Sequence, residues 1–137
     1  MESILTNVLP EMLLKDVRVL VVEDSEDIQL LISYFLKRNG AIVTLAKDGN
    51  EGVNKALSHN YDVVLMDIQM PKMDGFEAMK ALQKNGFHKA VIALTAHAMD
   101  EERQMTFAAG FAGHIAKPID RKILISTIAT LSKPKVA

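Results

Sequence analysis

A three-layer α/β sandwich built on a five-stranded parallel sheet is the fold this sequence predicts, from three observations. Between Asp16 and Leu131, short apolar runs alternate with amphipathic helical patterns in the order βαβαβαβαβα. Helical crossovers imply parallel strands, and right-handed connections place helices on both faces of the sheet. The runs at 19–22, 62–66 and 90–94 are nearly continuously apolar, as strands covered on both sides must be.

The elements follow in order. Residues 1–15 stand apart: Ile4, Leu5, Val8, Leu9, Met12 and Leu13 fall at helical spacing, interrupted by Pro10. They read as a linker or an accessory docking helix. Val17–Val22 is a strand ending in Glu23-Asp24. Ile28, Leu31, Ile32, Phe35 and Leu36 mark one helical face. Glu26 and Asp27 open that helix, Lys37 and Arg38 close it, and Gly40 stops it, all suited to the helix dipole. Ala41–Ala46 is a second strand. Asp48, with Glu51 three residues on, caps a helix that buries Val53, Ala56 and Leu57.

The central strand, 62–66, delivers Asp67 at its C-terminal end. Pro71 and Asp74-Gly75 then mark a loop, and Asp74 with Glu77 forms a capping box for a helix of 76–84 that buries Phe76, Met79 and Leu82. Ala90–Leu94 is a fourth strand, ended by Thr95. A helix over 99–109 opens with Asp100, Glu101 and Glu102 and stops at Gly110. Its sparse apolar face predicts an exposed, partner-facing element. Gly113–Ala116 is a short strand ended by Lys117-Pro118. Asp120 caps a last helix with Leu124, Ile128 and Leu131 inward, and Lys133-Pro134 ends it, leaving 133–137 as a tail.

At 137 residues the chain is most simply one domain, able to bury roughly 68% of its unfolded surface. A net charge of −1 gives no global basic field for nucleic acid. The absence of cysteine excludes disulfide and thiolate chemistry. No apolar run approaches the ~18 residues of a membrane span, and the acidic start lacks a signal peptide's basic region. The expected location is the cytoplasm.

In a parallel sheet every strand presents its C-terminal end at one edge, where ligands bind. Here those ends carry Glu23, Asp24, Asp67, Thr95 and Lys117. Two carboxylates ~5 Å apart repel by about 3 kcal/mol at an effective dielectric of ~20. Three such pairs approach a domain's total stability of roughly 5–15 kcal/mol. The cluster must therefore take up a proton, a lysine or a metal. Hard carboxylate oxygens without a nearby His or Cys cluster suit Mg²⁺, for which Asp24 and Asp67 are the expected ligands, with Glu23 acting directly or through water. Lys117 adds a second cation and Thr95 a hydroxyl donor. A carboxylate nucleophile, a divalent ion, an ammonium and a hydroxyl are the parts needed for phosphoryl transfer onto Asp67.

Four separated motifs, Val-Val-Glu-Asp, Val-Leu-Met-Asp-Ile-Gln-Met-Pro-Lys-Met-Asp-Gly, Ala-Leu-Thr-Ala and Ala-Lys-Pro-Ile, together resemble the receiver domain of two-component response regulators. The resemblance covers residues 16–132. It implies a flavodoxin-like (βα)5 arrangement with strand order 2-1-3-4-5. It also implies phosphoryl transfer from a phosphohistidine to Asp67, with Glu23 and Asp24 as the acidic pair, Thr95 as the switch hydroxyl and Lys117 as the lysine. The Lys–Pro motif implies a cis bond before Pro118. One position departs: where the family usually carries a switch Tyr or Phe, this chain has His114. The imidazole there either rotates as the aromatic does, with small Ala96 leaving room, or belongs to an edge-strand residue that switches nothing. Its titration near neutrality makes a pH-dependent output conceivable. Gln69 and His97 match positions that tune dephosphorylation, or are solvated loop residues. His59 and His88 read as surface residues, and Met66, Met70, Met73 and Met79 as packing.

Rival readings lack parts. A haloacid-dehalogenase-type phosphatase would need a second acid in Asp67-Ile68-Gln69, and an FMN carrier's phosphate would be repelled by Glu23-Asp24. A pseudo-receiver interaction module would be expected to have lost an acid or the lysine. The expected role is therefore a signalling receiver, not an enzyme acting on a separate substrate. No output domain is expected after the last helix, so output passes through protein contact near 99–119. The Leu-Thr-Ala-His-Ala-Met and Lys-Pro-Ile stretches look most like receivers of hybrid histidine kinases. The expected partners are a histidine kinase or a histidine phosphotransfer protein, with neither nucleic acid nor membrane insertion. Two arrangements stay open: a stand-alone receiver, or the cytoplasmic receiver segment of a larger membrane-bound sensor kinase.

Overall fold

The computed structural model describes residues 13–96 and 99–132. The expectations for residues 1–12, for His97 and for Lys133-Pro134 lie outside these described residues. Five strands, β1 (Arg18–Val22), β2 (Ile42–Ala46), β3 (Val63–Asp67), β4 (Ala90–Thr95) and β5 (Gly113–Ala116), form one sheet in the order β2-β1-β3-β4-β5. Every pairing is parallel. The helices between them are α1 (Glu26–Arg38), α2 (Gly49–Ser58), α3 (Gly75–Lys84), α4 (Asp100–Ala108) and α5 (Arg121–Leu131). The expected fold class and strand order are both found.

Strand alternation divides the core in two. Val19 and Val21 of β1 and Val63 and Leu65 of β3 face one side, where Ile32 and Leu36 of α1 and Leu124 and Ile128 of α5 cover them. Leu20, Val22, Val64 and Met66 face the other, against Val53 and Ala56 of α2 and Ala78, Met79 and Leu82 of α3. Period-2 side chains on a doubly covered sheet require both faces to be apolar, which is why these strands read as unbroken runs. The buried body starts earlier than Asp16. Leu14 is fully buried, and its N–H donates to the Asn39 carbonyl at the end of α1.

Several local expectations shift. Leu57 is 42% exposed and Leu31 is 41% exposed, although both sit beside an apolar helical position. Each lies at the edge of a stripe whose centre is filled, by Val53 and Ala56 in α2 and by Ile32, Ser33 and Leu36 in α1. β3 and β4 each run one residue further than their apolar runs, taking Asp67 and Thr95 into the ladder. The first helix is capped by Ser25, whose hydroxyl accepts from the Ile28 N–H. Asp48, Asp74 and Asp120 cap their helices, and Asp74 with Glu77 makes the complete capping box. In α2 the reciprocal arm goes to Lys47: the Glu51 carboxylate accepts from the Lys47 N–H at 2.7 Å.

The start of α3 is pressed onto the end of β3. A Cβ on Gly75 would lie 2.5 Å from the Asp67 carbonyl oxygen and 2.8 Å from the Ile68 Cα, both backbone atoms that cannot rotate away. Gly75→Ala is therefore expected to lower unfolding stability by about 2 kcal/mol, in the range of core overpacking. A urea melt showing a loss under about 0.5 kcal/mol, the scale of an ordinary surface change, would contradict this contact.

Candidate phosphoacceptor site

The C-terminal edge of the sheet brings the strand-end residues together. Asp67 ends β3, and Glu23 follows β1, held in place by its own N–H to the Ala46 carbonyl. Both carboxylates are buried, Glu23 at 0% and Asp67 at 2% exposure, whereas Asp24 is exposed. Lys117 reaches them from the end of β5. Its Nζ lies 2.8 Å from Glu23 Oε1 and 3.2 Å from Asp67 Oδ2. The Lys117 N–H donates to the Thr95 carbonyl at 2.7 Å, tying the ends of β4 and β5. The Lys117–Pro118 bond is cis, as the motif implies.

Backbone amides hold the acids from the other side. Glu23 Oε2 accepts from the Ser25 N–H at 2.9 Å, and Asp67 Oδ1 accepts from the Gln69 N–H at 3.1 Å. The Gln29 amide donates to the Glu23 carbonyl at 2.5 Å. Gln69 thus acts here through its backbone, and its side chain stands in an exposed loop position.

Burial is the main influence on both acids and pushes each carboxyl above its ordinary range. For Glu23, contact with Lys117 and the Ser25 N–H oppose the rise. For Asp67 the Lys117 charge and the Gln69 N–H do so. For Lys117, burial works to lower the ammonium, but contact with Glu23 and the field of Asp67 outweigh it and raise it. The site is a shared-charge cluster in which one ammonium serves two carboxylates.

Glu23, Asp24 and Asp67 each offer an oxygen, and the three lie within 4.8 Å of one another. The buried Glu23 Oε1 has the Lys117 ammonium at 2.8 Å as its ion-pair partner and accepts no other hydrogen bond among the described residues. An all-oxygen set with spare lone pairs fits a hard divalent cation such as Mg²⁺.

Thr95 is buried, and its hydroxyl donates to Oε1 of Glu102 in α4. His114, on β5, is half-buried and its Nε2 accepts from Arg103 Nε at 3.1 Å. Sequence reading missed Ser25, Gln29, Glu102 and Arg103. Only Ser25 carries a local signal, as an N-cap residue between the strand end and the first helical turn. His59 and His88 are exposed, as expected, and Met66, Met70 and Met79 belong to the core with Met73 packed against it.

Burial first and the Arg103 charge second hold the His114 imidazole below its ordinary 6.5, against the pull of Glu102. A group that the folded state protonates less readily than the unfolded state favours unfolding as acid is added. The His114 contribution is therefore full above about 6.5 and is lost as pH falls towards the folded-state value. An NMR titration of the ring protons should give a midpoint below 6.5, and a midpoint above it would contradict this environment.

Known proteins resemble the chain in sequence and shape. Histidine kinase 1 of Arabidopsis thaliana is 34% identical in an alignment that covers 88% of this chain and 13% of that protein. The hybrid signal transduction histidine kinase I of Dictyostelium discoideum is 38% identical over 122 residues, 82% of this chain and 7% of that one. The chain thus spans a small fraction of these two relatives. Among solved structures, the receiver domain of a Pseudomonas aeruginosa sensor histidine kinase, described with a magnesium ion coordinated in its active-site cleft, superposes with a TM-score of 0.78. It is 34% identical, covering 85% of this chain and 98% of that one. Residues 19–129 match the model of the response regulator receiver domain, and the chain belongs to that family.

Proposed function

We propose that this chain is the phosphoacceptor of a two-component phosphorelay, taking a phosphoryl group from a phosphohistidine onto Asp67 with Mg²⁺ bound. The observation that carries this reading is the Lys117 ammonium within 2.8 and 3.2 Å of the two buried carboxylates. In the transfer, an Asp67 carboxylate oxygen forms the new bond to phosphorus while the P–N bond breaks, and the departing imidazole keeps the electron pair and takes a proton. Lys117 moves its charge onto the phosphoryl oxygens. The Gln69 N–H orients Asp67, and Thr95 donates its hydroxyl to a phosphoryl oxygen once the group is in place. Glu23, Asp24 and Asp67 would hold the Mg²⁺, which when bound neutralises charge on the transferring group.

The chain catalyses only its own phosphorylation and dephosphorylation. Phosphorylation biases a two-state surface around α4, β5 and Lys117-Pro118, with Thr95 and His114 as the moving pair and a downstream protein as its reader. The working unit takes in Leu14, which belongs to its core, and runs to residue 132. The expected donor is a histidine kinase or a histidine phosphotransfer protein in the cytoplasm, with no nucleic acid involved. No helix among the described residues is long and apolar enough to cross a membrane.

Incubation with acetyl phosphate followed by intact-mass measurement tests the reading. One added phosphoryl group is expected with Mg²⁺ and none after chelation. No adduct under either condition would leave an interaction module on a receiver fold.

A further inference from the structure

We propose that Glu102 is a positioning residue that holds the Thr95 hydroxyl away from Asp67, so that phosphorylation must break this bond before the switch can engage. The inference rests on the phosphoacceptor reading above. Thr95 is the last residue of β4, beside β3, where Asp67 pairs in register with Leu94. A hydroxyl has one proton. While that proton is given to Glu102 Oε1, it is not available to a phosphoryl oxygen on Asp67.

The placement of Glu102 is unlike that of its counterpart in α3. Glu77, third residue from the Asp74 cap, turns its carboxylate back onto its own helix cap. Glu102 holds the same position relative to Met99, which makes no side-chain cap bond, yet it directs Oε1 across to β4. The next residue, Arg103, donates to His114 on β5. Two adjacent side chains of one helical turn are thereby tied to two strands, at the end of β4 and within β5. Apolar packing adds little to them. Thr106 is the buried residue of α4, and Met105 and Phe107 are exposed, the latter at 80%. A helix held mainly by polar ties has a low cost of local release, as a moving element requires.

Beryllofluoride with Mg²⁺, followed by NMR titration at the Thr95 and Lys117 amides, supplies a phosphoryl mimic without turnover. Releasing a charge-assisted hydrogen bond is expected to tighten beryllofluoride binding by about tenfold in Glu102→Ala. Glu102→Gln keeps an acceptor without the charge and should gain less. In a Thr95→Ala background, Glu102→Ala should change nothing, because the bond it would release is already gone. Unchanged or weaker binding in Glu102→Ala would overturn the inference. So would a gain that persists without the Thr95 hydroxyl, since it would come from the Glu102 field. Wild-type protein that fails to bind beryllofluoride would instead overturn the phosphoacceptor reading, and this inference with it.

Discussion

Asp67→Asn is expected to accept no phosphoryl group from acetyl phosphate at any Mg²⁺ concentration, while folding more stably than wild type at neutral pH. The two effects share one cause. The carboxylate is nearly fully buried and its protonation is raised by that burial despite the neighbouring ammonium. An ionised acid with a raised folded-state pKa costs stability, and the cost grows as pH climbs through that value. Asparagine keeps an oxygen for the Gln69 N–H, removes the charge, and has no nucleophilic oxygen to offer phosphorus. A higher unfolding free energy than wild type is expected at neutral pH without Mg²⁺, because the substitution removes a buried charge whose pKa burial raises. Intact mass and a urea melt on the same sample check both halves. A phosphorylated Asp67→Asn protein would place the acceptor elsewhere.

The second large effect is expected at Lys117. Its ammonium is the cation in direct contact with two buried acids, and Lys117→Gln leaves them facing each other. Removing one partner of a buried ion pair typically costs 3–5 kcal/mol. The side chain is still 20% exposed, so about 3 kcal/mol is expected at pH 8. The sign with pH follows from linkage. Without the lysine, Glu23 and Asp67 bind protons more tightly folded than unfolded, so stability falls as pH rises through their raised values. Urea melts should therefore show a small deficit near pH 4.5 and a large one at pH 8, and millimolar Mg²⁺ should recover part of the latter. A deficit that ignores both pH and Mg²⁺ would mean that Lys117 contributes packing and not charge. Phosphorylation by acetyl phosphate should also slow sharply, because Lys117 is the cation that pairs with Asp67 among the described residues.

The sheet, its parallel sense and the edge at which the polar strand ends gather were all legible in the chain's local patterning. Doubly buried strands leave continuous apolar runs, and Glu23, Asp67 and Thr95 each stand where such a run stops, while Lys117 follows the short strand Gly113–Ala116. Caps at Asp48, Asp74 and Asp120 were legible for the same reason, since they depend on contacts three residues apart. Which groups share a charge was set by long-range packing. The Lys117–Glu23 contact joins residues 94 positions apart in the chain, and no local period encodes it. Glu102 looked like an ordinary acid in a first helical turn until folding set it against Thr95, seven residues earlier. Leu31 and Leu57 failed for the complementary reason. Helical spacing shows that a face is apolar, but the width of the groove on the sheet decides how much of that face is covered.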